Sequence, residues 1–268
     1  MKGYTVNGNG KNISPDSGII PILKRIEPKV YSIVGTGFYI SRYGLFMTAA
    51  HVLKELIDKD KSEVSPSYVC HYLGGDKINF RRILSAFIYL KEDIALGQAD
   101  NYLEKSPNGP LMNLRGNLSF TVPSVGDEVV TYAYPENKIL DFRSESNVRK
   151  IFSDYYTGKF LKEVIDSDHP YLPYRHYETS ILIKSGASGG PVFHEGKIIG
   201  VNCRGWDFGT DDDSLSYIVP VESALDIELS GLQIPPISWE YAQIPDELKS
   251  SNLTLRHLIA FGHVSFVA

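Results

Sequence analysis

The chain has 268 residues, 43% of them hydrophobic and 22% charged, with a formal net charge of -5. That length holds two packed units of about 100 residues each plus tails, and the acidic balance supplies no basic field for nucleic acid. No apolar run approaches the ~18 residues that a membrane-spanning helix needs.

Residues 1–18 are polar and rich in Gly and Asn, and read as a loose tail without the apolar stretch of a secretory signal. A first unit is expected over residues 19–117. It begins with the β-rich run Tyr31 to Ile40, which leads to a corner of small residues, Thr48-Ala49-Ala50, and then His51. A helical pattern follows from Val52 to Ile57. Ser67 to Leu73 reads as a strand and Gly74-Gly75-Asp76 as its turn. The apolar run Phe87 to Leu90 precedes Lys91-Glu92-Asp93 and a second apolar run, Ile94-Ala95-Leu96. Lys105 to Gly116, with Pro107, Gly109 and Pro110, reads as a linker.

A second unit is expected over residues 118–231. Asp127 to Tyr134 is strand-like, and Tyr156-Thr157-Gly158-Lys159 predicts a hairpin turn between Ile151-Phe152 and Phe160-Leu161. Asp166 to Arg175 reads as a loop. Ile181-Leu182-Ile183 and Val192-Phe193 are short apolar runs that predict strands on either side of Gly186-Ala187-Ser188-Gly189-Gly190-Pro191. Glu222 to Leu229 predicts a short helix. In residues 232–268, Pro235-Pro236 marks a break, and Leu248, Leu253, Leu255, Leu258 and Ile259 predict a helix over Asp246 to Phe261, packed on the back of the units or, as the less favoured reading, docking a partner.

Three of these stretches carry chemistry. A serine hydroxyl is a poor nucleophile unless a base adjoins it and donors hold the developing negative charge. Glycines around Ser188 allow a sharp turn and the close approach of a substrate carbonyl. Histidine titrates near working pH, so His51 is the candidate base. Asp93, at the lip of an apolar strand, is the candidate carboxylate to orient that histidine; Glu92 competes, but Asp93 directly adjoins the apolar run. Each stretch alone has a plain structural reading: a glycine-rich turn, a histidine at a helix start, a solvated acidic turn.

Together they resemble the chymotrypsin-type, or trypsin-like, serine peptidases. The resemblance lies in TAAH at Thr48 to His51, DIAL at Asp93 to Leu96 and GASGGP at Gly186 to Pro191, in the order His, Asp, Ser. Gly35-Thr36-Gly37-Phe38, Val125 to Val130, Gly196 to Asn202 and Ile218 to Val221 are similar to the bacterial HtrA-like branch, and the resemblance runs from Val30 to Leu229. The α/β-hydrolases share GxSxG, but there the histidine follows the serine.

The resemblance implies an all-β fold of two six-stranded antiparallel barrels, with the helical extension added behind them. It implies a serine endopeptidase with the triad His51, Asp93 and Ser188, an oxyanion hole from the N–H groups of Gly186 and Ser188, and no cofactor or metal. Ile183, Lys184, Ser185, Asn202, Cys203, Arg204 and Gly205 are expected to line the substrate pocket, which takes small or apolar residues unless Arg204, otherwise a solvated charge, draws acidic side chains near the cleft. The partner is then a protein or peptide substrate, with neither nucleic acid nor membrane. Ala187 stands where zymogen-type members carry an acid, so no N-terminal cleavage is expected for activation. No peptide-binding domain of the PDZ kind follows the barrels. Two cysteines, Cys70 and Cys203, and no signal suggest the cytoplasm. The rival reading is a catalytically idle trypsin-like domain that serves as a binding module.

Overall fold

The computed structural model describes residues 18–42, 44–58, 63–64, 66–72, 78–100, 115–135, 139–143, 151–168, 172–206, 215–233, 244–245 and 252–267. The tail at 1–17, the Gly74 to Asp76 turn, most of the Lys105 to Gly116 linker and Pro235-Pro236 lie outside them.

Among the described residues, eight strands precede the linker: β1 (Ile19–Glu27), β2 (Val30–Tyr39), β3 (Leu45–Ala49), β4 (Ile57–Asp58), β5 (Glu63–Val64), β6 (Ser67–Tyr72), β7 (Ile78–Tyr89) and β8 (Ile94–Ala99). Seven follow it: β9 (Glu128–Ala133), β10 (Ile139–Asp141), β11 (Asp154–Val164), β12 (His176–Thr179), β13 (Pro191–His194), β14 (Lys197–Trp206) and β15 (Leu215–Pro220). The order β1-β6-β7-β8-β3-β2 closes on itself through β1–β2, and β11-β12-β15-β14-β13-β9 closes a second ring. All their pairs are antiparallel. The expected double six-stranded barrel is what the chain forms. Closure removes the exposed sheet edges that strands so rich in Ile and Val would otherwise offer to other chains. β10, from the second half of the chain, adds to β2 of the first barrel.

The strands that build the central seam are buried on both faces. Every residue of β3 and of β8 is buried, so both read as continuous apolar runs rather than alternating ones. Their register pairs Ala49 with Ile94. The chain segments just past these ends therefore emerge side by side, which brings the corner after β3 next to the turn before β8. One core cluster joins Phe38, Phe46 and Leu96 of the first barrel to Tyr134, Phe193 and Val201 of the second. A separate cluster of Val129, Phe160, Tyr177, Ile181, Val192, Ile199 and Ile218 fills the second barrel.

Four expectations need correction. Tyr156 to Lys159 is no turn: it lies within β11, paired with β9. Gly158 serves close approach there, since a Cβ would sit 2.6 Å from the Ile181 nitrogen. Ile151-Phe152 is irregular. Ile181 to Ile183 is irregular too, because the Ile181 carbonyl accepts from the Ser216 hydroxyl instead of a ladder N–H. Helices are also shorter than expected. The corner helix spans Ala50–Lys54, with Ile57 drawn into β4. Glu222 to Leu229 holds only a 3-10 turn, Val221–Ala224. The C-terminal helix spans Leu255–Ala260, with Leu253 just before it and residues 246–251 outside the described set. That segment does pack behind the barrels: Leu253, Leu255 and Leu258 are buried, and the Arg115 guanidinium donates to the His263 carbonyl at 2.9 Å.

Candidate active site

The helix Ala50–Lys54 presents His51 at its second position, one residue past the small corner. Leu90–Glu92 forms a 3-10 turn that ends in Asp93, held at φ 50° in the left-handed region. That conformation is open to Asp because its short side chain bonds locally. The Ala50 N–H donates to the Asp93 carbonyl at 3.0 Å. The His51 N–H donates to Asp93 Oδ1 at 2.9 Å, and the ring Nδ1 lies 3.1 Å from Oδ1 and 2.9 Å from Oδ2. The carboxylate thus grips the histidine by main chain and ring together. An ionised carboxylate only accepts, so Nδ1 carries the proton and Nε2 is left as a lone-pair base. Glu92 faces another cleft, with Tyr89, Arg175 and Glu222.

Ser188 lies on the loop between Ile181 and β13, in the same cleft as His51. Its hydroxyl donates to the Cys203 carbonyl at 3.2 Å. Among the described residues, no hydrogen bond joins Ser188 to His51. Of the loop's five amides, Ala187 donates to Lys184 O at 3.1 Å, Gly189 to Asn202 O at 2.7 Å and Gly190 to Ala187 O at 3.1 Å. The N–H groups of Gly186 and Ser188 make no such bond among the described residues. These are the two amides of the loop with no acceptor of their own among those residues. Ala187 is buried.

The loop is held from the other barrel by Thr36, a residue the sequence marked only as part of a strand start. Its N–H donates to Ser188 O at 2.8 Å. Its hydroxyl donates to Gly186 O at 3.2 Å and accepts from Tyr134 N–H at 3.0 Å. Its carbonyl accepts from the Thr48 hydroxyl at 2.6 Å. Gly189 passes so close, at φ 85°, that a Cβ would lie 2.1 Å from both Thr36 O and Thr48 Oγ1. A threonine set between two glycines was the available signal.

Ile183, Lys184, Ser185, Cys203, Arg204 and Gly205 line the cleft of about 560 Å³ that contains His51 and Ser188. Asn202 does not face it. The strand alternation of β14 turns Asn202 inward, where it is fully buried and donates to the Thr131 hydroxyl. Its main chain instead anchors the serine loop, its N–H donating to Gly190 O at 2.9 Å. The Cys203 thiol sits 3.5 Å from the Asp93 carbonyl oxygen. Burial, and then the charge of Asp93, push it well above the ordinary thiol range.

The sequence profile of the trypsin-like peptidase domain matches residues 35–201, more than half of the chain. No curated protein matches. Among solved structures, Deg5 aligns with a TM-score of 0.54 at 16% identity, over 78% of this chain and 86% of its own. The active form of the Rv3671c protease from M. tuberculosis aligns with a TM-score of 0.48 at 19% identity, over 77% of each chain. The likeness to Deg5 is one of fold. No described helix is long and apolar enough to cross a membrane.

Proposed function

Because the chain belongs to the trypsin-like peptidase family, we propose that it is a serine endopeptidase in which Ser188 is the nucleophile, His51 the base and Asp93 its orienting acid. The observation that carries this reading is the double grip of Asp93 on His51, with Ser188 opening onto the same cleft.

The Ser188 hydroxyl first turns about its Cα–Cβ bond from the Cys203 carbonyl toward His51 Nε2. Its proton passes to Nε2 as Oγ bonds to the substrate carbonyl carbon, and the carbonyl electron pair moves onto oxygen. The N–H groups of Gly186 and Ser188 hold that oxyanion; each such donor is worth about 3 kcal/mol in the transition state. Collapse expels the amine, which takes the proton from His51 and leaves an acyl-enzyme. Water, deprotonated by His51, releases the acid. Ala187 supports activity without N-terminal trimming, since it offers no carboxylate to a new amine.

The pocket walls favour a small residue at the scissile position. A Cβ on Gly205 would meet the Ile183 carbonyl oxygen at 2.8 Å, so the two walls all but touch there. Both cysteines are free and buried, which accords with a reducing compartment and an intracellular processing or regulatory role.

The test is labelling of the folded protein by a fluorophosphonate. Wild type is expected to take one label on Ser188, and Ser188→Ala to take none and to lose roughly a million-fold in turnover. A folded wild type that takes no label is the idle binding module instead.

A further inference from the structure

The chain is acidic overall, with 32 Asp and Glu against 27 Lys and Arg, yet the cleft around Ser188 has the opposite sign. Among the described residues its lining holds two cations, Lys184 and Arg204, and not one carboxylate. Both are exposed at the rim, one on each wall. Among the described residues neither is within ion-pair distance of an acid. Three arginines elsewhere do meet acids: Arg143 meets Glu27 and Asp141, Arg175 meets Glu163 and Glu222, and Arg256 meets Asp226. The nearest acid to the catalytic centre, Asp93, already faces His51. Two unpaired cations on the walls of one cleft, with no acid among its described lining, build a positive potential there, where the low-dielectric walls concentrate it.

We propose that this cleft selects acidic peptide segments. Carboxylates flanking the scissile residue are held by Lys184 on the loop wall and by Arg204 on the β14 wall. The selection lies at the rim, where charge acts through partly screened water and falls with salt. This rests on the peptidase reading for its consequence, but the binding it describes can be measured without catalysis.

The experiment uses full-length Ser188→Ala protein and three fluorescein-labelled, alanine-rich decapeptides that carry two Glu, two Gln or two Lys at the same places. Fluorescence anisotropy at low salt is expected to show the Glu peptide bound at least fivefold tighter than the Gln peptide, with the Lys peptide weakest. Half-molar salt should erase the order. Lys184→Glu with Arg204→Glu should invert it, with an unchanged circular dichroism spectrum. Equal affinities, no measurable binding, or preference for the Lys peptide overturns the proposal. Asp207, Asp211, Asp212 and Asp213 belong to the segment joining β14 to β15, outside the described residues. If the preference emerges only after all four are changed to Asn, the chain answers its own cations and the proposal is likewise overturned. Charge-selective binding in a protein that takes no fluorophosphonate label would sink the peptidase reading alone; labelling and cleavage without charge preference would sink only this one.

Discussion

The hydroxyl of Thr36, in the first barrel, donates to the carbonyl oxygen of Gly186, in the second, across 3.2 Å. It fixes the peptide that follows Gly186 while it accepts the Tyr134 N–H. Thr36→Val keeps the volume and removes both bonds, which leaves a buried N–H and a buried carbonyl short of a partner. Stability is expected to fall by about 1–3 kcal/mol. If the freed loop shifts its amides by as much as 1 Å, kcat should fall on the order of a hundredfold while KM changes little. Thr36→Ser should restore most of both. Steady-state kinetics on a peptide substrate check the division, and equal loss in Thr36→Ser would point to the methyl group rather than the hydroxyl.

Asp93→Asn should separate geometry from chemistry. The amide oxygen can still accept the His51 N–H, and the amide NH₂ then faces Nδ1. A ring nitrogen facing a donor must accept, so the proton moves to Nε2 and the base is lost. Turnover is expected to drop about ten-thousand-fold with the melting temperature nearly unchanged. A variant within tenfold of wild type would remove Asp93 from the mechanism.

Gly189→Ala tests the contact between barrels. The new Cβ would stand 2.1 Å from the Thr36 carbonyl oxygen at a backbone φ of 85°. The expected cost is about 3 kcal/mol or more, because backbone cannot yield as a side chain can. Gly196→Ala is the control: its φ of 77° is equally left-handed but nothing lies within 4 Å. It should cost about 1 kcal/mol. Urea denaturation of the pair measures both, and equal costs would show that the clash is relieved.

Alkaline pH should loosen the fold. Burial pushes the Cys70 thiol from 9.0 to about 12, and burial together with the charge of Asp93 pushes Cys203 well above the ordinary thiol range. Tyr39 and Tyr177 are likewise raised by burial, from 10.0 to about 12. Folding thus favours the protonated forms. The stability tied to them is whole below about pH 9, and it declines as pH climbs through 9 and 10 toward 12, where the unfolded chain ionises first. Melting temperatures are expected to fall across that window and to be flat just below it. Ellman's reagent at pH 8 should react with neither thiol until guanidinium is added; rapid reaction of the native protein would contradict the burial.

Much of the site was legible in the residues because its chemistry needs scarce types in fixed company. His51 after two alanines, Asp93 directly before an apolar strand and Ser188 among glycines could be named, and the choice of Asp93 over Glu92 followed from which acid adjoined the buried run. Gly158 misled, since a glycine that admits another backbone looks the same in sequence as one that makes a turn. Ile181 to Ile183 misled because a hydroxyl from a distant strand took the ladder's place. Asn202 is placed in the pocket by the resemblance, but its side chain turns inward to the Thr131 hydroxyl instead.

Local pattern determined several of the strands, where the candidate histidine, acid and serine lie along the chain, and that an acid stands directly before an apolar strand, because periodicity, turn chemistry and burial preference act over a few residues. Only the tertiary structure decided that Thr36 would clamp the serine loop, that the Ser188 hydroxyl would rest on the Cys203 carbonyl, and that Lys184 and Arg204 would line one cleft. Those outcomes depend on contacts between residues far apart in the chain, and such contacts are set by how two closed barrels meet, which no short window of sequence encodes.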